Sequence, residues 1–144
     1  MNNIEKSSTY YATNIEFEFD NRIILNWYTN RIVNKIKPKS KILELGIGHG
    51  YSTNMISSKF EDHISIEGSS NVIQNYISKF PNKPKEIVES YFEHFDTSEK
   101  FDVIIMGFIL EHVDDPIEIL QKYRSFLKDD GILYAAVPNA KSLN

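Results

Sequence analysis

An acid and three alternating glycines stand together in Glu44-Leu45-Gly46-Ile47-Gly48-His49-Gly50. Glycine has no Cβ, so such a turn bends sharply and lets a ligand lie directly on the backbone. A helix that follows would aim its free N–H groups and the positive end of its dipole at that ligand. Glu44 falls two positions before the first glycine, where a purely structural strand would hold another apolar residue. A dinucleotide fingerprint needs G-x-G-x-x-G, its third glycine allowing close helix–strand packing. Here that third position is Tyr51. The form E-x-G-x-G-x-G points away from a pyrophosphate and toward a smaller, zwitterionic group.

Further candidates recur at intervals. Glu67-Gly68 follows the next apolar segment, about twenty residues after the turn, where an acid can read ribose hydroxyls. A carboxylate accepts two such hydrogen bonds at once, both charge-assisted, and Gly68 leaves room beside the sugar. A solvated acid at a strand end is the plain alternative. Tyr91 and Phe92 could flank a flat heterocycle whose edge Ser90 or a backbone N–H would meet, or the aromatic pair could pack beneath the next helix. Gly107-Phe108 again permits close approach of backbone, and His112 beyond it could serve as a general base on a hydroxyl or amine. A histidine that merely orders its loop is the alternative there. His49, His63 and His94 show no metal spacing, and no metal site is expected.

The elements that must position these residues alternate. Apolar residues Ile23, Ile24, Trp27, Tyr28, Ile32, Val33 and Ile36 recur at helical spacing, with Asp20 as N-cap. Residues 1–18 read as an N-terminal arm, polar over 1–14. Strands are predicted over 41–45, 63–66, 85–88, 101–106 and 132–137, and helices over 52–60, 71–80 and 116–127. This alternation implies βαβ units, a parallel sheet and helices on both faces. The fold class is α/β, a Rossmann-like doubly wound sheet of five mainly parallel strands in the order 3-2-1-4-5. Ligands in such sheets lie at the carboxyl ends of the strands. Gly46 to Gly50, Glu67, Ser90 to Phe92, Gly107 to His112 and Pro138-Asn139 all fall at such ends.

The 144 residues read as one domain. A charge of −4, with Lys and Arg scattered, argues against a nucleic-acid surface. With no cysteine there is neither a disulfide framework nor a thiolate metal site, which fits a reducing interior. Met1 to Lys6 has no apolar signal-peptide core, and no apolar run approaches membrane-spanning length. The expected location is cytoplasmic, with no membrane partner.

The glycine turn, Glu67, Phe101-Asp102-Val103-Ile104-Ile105-Met106 and Leu110-Glu111-His112-Val113-Asp114-Asp115-Pro116 together resemble class I S-adenosylmethionine-dependent methyltransferases. The ending Leu127 to Leu133 with Val137-Pro138-Asn139-Ala140 adds to the likeness, which is strongest to the branch acting on small molecules such as quinones and sugars. The resemblance implies that Gly46, Gly48 and Gly50 line the methionine part of the cofactor and that Glu44 bonds its ammonium. Glu67, with Gly68 beside it, would hold the ribose. Tyr91 and Phe92 would border the adenine, and Gly107 and Phe108 the sulfonium. His112 is the candidate base, and S-adenosylhomocysteine the product.

Family sheets usually carry two further strands beyond the fifth, and this sequence ends at Asn144 without them. Three readings follow: a truncated chain, a fragment of a longer protein, or a fifth-strand edge that pairs with another chain, with truncation or a fragment preferred. Two other classes stay open. One is a nicotinamide-binding oxidoreductase domain, against which Tyr51 speaks. The other is a non-catalytic binding or assembly module of the same fold.

Overall fold

The computed structural model describes residues 18–139, with side chains from residue 21 onward. The expected arm lies outside that range except at Glu18, which instead opens the first helix. Helix α1 (Glu18–Val33) leads to β1 (Ile42–Leu45), α2 (Tyr51–Ser57), β2 (His63–Glu67), α3 (Ser70–Lys79) and β3 (Glu86–Glu89). Then come β4 (Phe101–Gly107), a single 3₁₀ turn (Leu110–His112), α4 (Pro116–Arg124) and β5 (Leu127–Ala136). The strands form one sheet in the order β3-β2-β1-β4-β5, and every neighbouring pair is parallel.

β1 is apolar apart from Glu44 because both of its faces are covered. Ile42, Leu43 and Leu45 are fully buried, each contributing about 2 kcal/mol of apolar burial. Their alternation divides two cores. Leu43 and Leu45 join Ile64, Ile66, Ile104 and Met106 against Ile119 and Tyr123 of α4. Ile42 joins Val103 and Ile105 on the other face, against Tyr28, Ile32 and Val33 of α1 and Ile56 of α2. Glu44 has the parity of Ile42. It therefore points toward α1 and α2, in register with Ser65 of β2.

Three expectations are corrected. The apolar face read over α1 is buried only in its later half. Ile23 and Ile24 are about half exposed and Trp27 is 62% exposed, with the Arg31 guanidinium stacked 4.9 Å from the Trp27 ring. Asp20 lies inside the helix rather than at its N-cap. At the other end, α4 stops at Arg124 and β5 begins at Leu127, earlier than Ile132. Leu127 pairs with Phe101 and Ile132 with Val103, so Lys128 to Gly131 bulge out of the ladder. The Lys-Asp-Asp-Gly turn is thus an irregularity within the strand. Gly131 is needed there, since a Cβ would come 3.0 Å from the carbonyls of Lys128 and Phe101.

Helix starts follow ordinary capping chemistry. Ser69 accepts from the Val72 N–H to open α3. Asp115 accepts from the N–H groups of Ile117 and Glu118, both at 2.9 Å, with Pro116 in the first turn of α4.

Candidate functional site

The carboxyl ends of β1, β2 and β4 open onto a cavity of about 470 Å³, a size suited to a small ligand. Glu44, Gly46, Gly48, Glu67, Gly68, Tyr91, Phe92, Gly107, Phe108 and His112 all line it. Of the candidate ligand-binding residues singled out from sequence, Gly50 and Ser90 are not on that wall.

The glycine turn runs through three left-handed residues, Gly46 (φ 81°), Gly48 (φ 51°) and Gly50 (φ 84°). These play different parts. A Cβ on Gly48 would meet nothing within 4 Å, so its surface faces open space. A Cβ on Gly50 would come 2.6 Å from both Tyr76 and Phe80. Gly50 thus lets α2 start against α3, and its part in the site is to set the turn.

Glu67 is tied to that turn. Its Oε2 accepts from the Ile47 N–H at 3.0 Å and its Oε1 from the Ser69 N–H at 3.0 Å. Two backbone donors hold the carboxylate in one orientation, and each oxygen keeps a lone pair free. Residue types give no sign of backbone donors, and the Ile47 and Ser69 contacts were not foreseen.

Glu44 is 2% exposed. A buried carboxylate needs partners, and β2 supplies them. Ser65 Oγ donates to Glu44 Oε2 at 2.8 Å. His63 Nε2 stands 3.2 Å from the same oxygen, off the hydrogen-bonding line, while its Nδ1 lies 3.0 Å from Ser57 Oγ.

Tyr91 lies over Gly68, where a Cβ would come within 3.1 Å of its ring. Phe92 packs against the α4-side core and points its ring tip toward Gly46. Its carbonyl accepts from the Tyr123 hydroxyl at 3.0 Å. Phe92 is therefore both core and wall.

Across the cavity, Gly107 sits beneath Tyr28, whose hydroxyl would be 2.4 Å from an added Cβ. Sequence spacing placed Tyr28 on a helix face without locating that contact. Phe108 holds a left-handed φ of 57°, a strained conformation for a bulky residue, costing about 1–3 kcal/mol. Its N–H is anchored on the Ala136 carbonyl at 2.8 Å. His112 is exposed on the 3₁₀ turn. His49, in the glycine turn, lies 3.2 Å from Asn21 Nδ2 of α1, and Leu25 and Tyr28 extend α1 along the wall.

This wall fits an adenosyl amino acid at both ends. Open backbone at Gly48 adjoins a buried acid, and Glu67 offers free lone pairs one strand away. The methyltransferase-domain family matches residues 19–144, and the chain belongs to it. A shorter stretch of 42 residues is 48% identical to a ubiquinone biosynthesis O-methyltransferase of Actinobacillus pleuropneumoniae serotype 5b (strain L20). It covers 29% of this chain and 18% of that protein. The fold is also that of the plantazolicin methyltransferase BpumL in complex with S-adenosylhomocysteine, with a TM-score of 0.66 at 22% identity. That match covers 91% of this chain and 51% of BpumL. The N-methyltransferase NodS of Bradyrhizobium japonicum WM9, also solved with S-adenosylhomocysteine, matches with a TM-score of 0.68 at 17% identity. There 92% of this chain and 71% of NodS are covered. Among the described residues, no three His, Asp or Glu side chains gather to hold a metal. No described helix is long and apolar enough to cross a membrane.

Proposed function

We propose that this chain carries the cofactor-binding half of an S-adenosylmethionine-dependent methyltransferase, acting on a small-molecule acceptor of the sugar or quinone class. The observation that carries the reading is Glu67, pinned by the glycine turn's own N–H and facing the cavity with lone pairs to spare. In this reading Glu67 accepts both ribose hydroxyls. Gly46 and Gly48 give the amino-acid tail bare backbone to lie on, with Gly50 shaping the turn. Glu44 takes the ammonium, directly or through water. Gly68, Tyr91 and Phe92 border the adenine, and Gly107 and Phe108 flank the reacting end.

S-adenosylmethionine, when bound, supplies a methyl group on an electrophilic sulfonium. The chain's own work is to orient the acceptor, exclude water and remove a proton. His112, on the 3₁₀ turn at the β4 end, is the group proposed to take that proton. The short match to ubiquinone biosynthesis O-methyltransferases supports a ring hydroxyl as one acceptor. A cytoplasmic setting goes with a cysteine-free chain. β5, paired only with β4 among the described residues, offers an edge for self-association.

A thermal-shift assay tests the reading. S-adenosylhomocysteine at about 100 times its Kd stabilises the fold by about 2.7 kcal/mol, raising Tm by several degrees, whereas NADH leaves Tm unchanged. A shift with NADH alone supports the nicotinamide class instead.

A further inference from the structure

Around the reacting end, where Phe108 would meet cofactor and acceptor alike, the cavity wall holds further chemistry. Among the described residues its carboxylates are Glu44, Glu67, Glu93 and Glu111, and no Lys or Arg lines it. Glu44 and Glu67 are engaged as described above. Glu93 and Glu111 are exposed, and neither side chain makes a hydrogen bond or ion pair among the described residues. The cavity therefore carries negative charge beyond what the cofactor reading uses.

A second observation comes from the opposite wall. Tyr28 is 8% exposed and lines the cavity, and its hydroxyl has no hydrogen-bond partner among the described residues. Burial, with the charge of Glu44 adding to it, pushes the phenol well above its usual range, so it stays neutral. Phe108 meets Tyr28 edge to face, with centroids 5.8 Å apart and planes at 78°. Two rings set at right angles, a phenol oxygen at the cavity wall and unpaired carboxylates are the chemistry that recognises an alkylammonium group.

We propose that the wall formed by Tyr28, Phe108 and Glu111 is a cation subsite, and that the methyl acceptor enters it as an amine. The proposal rests on the methyltransferase reading and chooses within its small-molecule acceptors: an amine, as an amino sugar would carry, in place of the ring hydroxyl of the quinone branch. An anionic acceptor would bring like charge against Glu93 and Glu111, the two carboxylates that the cofactor reading leaves free. A neutral hydroxyl would draw nothing from the free carboxylates. A bound ammonium must give up one proton, to His112 or to solvent, before its lone pair is available.

The test uses the chain loaded with S-adenosylhomocysteine and three probes of one shape: benzylamine, benzyl alcohol and benzoate. Calorimetry at low salt is expected to show benzylamine binding about tenfold tighter than benzyl alcohol, with benzoate weakest. Salt narrows the gap because Glu93 and Glu111 are exposed. Glu111→Gln weakens benzylamine about threefold or more and leaves S-adenosylhomocysteine affinity unchanged. Equal or tighter binding of benzyl alcohol or benzoate, or no benzylamine binding to the loaded protein, overturns the subsite alone. Failure to load S-adenosylhomocysteine at all removes the methyltransferase reading, and the subsite with it.

Discussion

On the β1–β2 side of the cavity, polar side chains are held by their neighbours. Glu67 is gripped by two backbone donors, and Glu44 is buried against Ser65 and beside His63. On the β4 side, Glu111 and His112 stand exposed on a single 3₁₀ turn, next to a strained Phe108. A preorganised wall spends little ordering entropy on binding and suits a ligand of fixed shape. An exposed loop suits chemistry and specificity that can vary. The contrast teaches that the wall proposed for the cofactor is built into the sheet, whereas the wall proposed for the acceptor is carried on a connection between elements.

The sharpest way to break this contrast is His112→Ala, assayed for methyl transfer in the full-length protein. A general base contributes about 10²–10⁴-fold, so kcat is expected to fall by about a hundredfold or more. S-adenosylhomocysteine affinity should stay within about twofold. An unchanged kcat would leave the β4 side without its base.

Gly50→Ala probes the rigid side from behind. A Cβ there must accept a left-handed φ and the rings of Tyr76 and Phe80 at 2.6 Å. Together these cost about 3 kcal/mol of stability, read as a lower midpoint in urea unfolding. A loss under about 1 kcal/mol would show that the turn yields.

Asp102 lies at the amino-terminal end of β4, far from the chemistry. Its partial burial opposes its charge, but Lys128 Nζ and the Lys41 N–H, each at 2.7 Å, outweigh that and hold its carboxyl below the usual range. A depressed folded-state value means that this stabilisation is complete above the unfolded pKa, about 3.9. It is lost as pH falls through the lower folded value. Asp102→Asn is therefore expected to cost about 1 kcal/mol at pH 7, with the difference from wild type shrinking below about pH 4. A cost independent of pH would place the effect in packing.

The glycine turn and the buried acid before it were legible in sequence because backbone demands appear as residue types. Alternating glycines mark left-handed positions, and a lone acid in an apolar strand marks a reason for its burial. The parallel sheet followed from the alternation of elements, and its order is the usual one for a Rossmann-like doubly wound sheet. What escaped was tertiary. Nothing local distinguishes Gly50, which faces Tyr76 and Phe80, from Gly48, which faces open space. The half-burial of α1 depends on where the helix leaves the sheet, and Ile23 and Trp27 keep helical spacing whether covered or not. The bulge at Lys128 to Gly131 reads as a turn because its residues are turn formers. Its ladder partners on β4 lie about twenty-five or more residues away in sequence. The contact of Tyr28 with Gly107 joins two elements distant in the chain, and periodicity holds no record of it.

Calorimetric titration of S-adenosylhomocysteine into wild type and Glu67→Ala addresses the central claim most directly. The account predicts one binding event per chain in wild type. It predicts affinity about ten- to a hundredfold weaker in Glu67→Ala, the worth of hydrogen bonds to a charged acceptor. Equal affinity in the two proteins, or no heat in wild type, would contradict it.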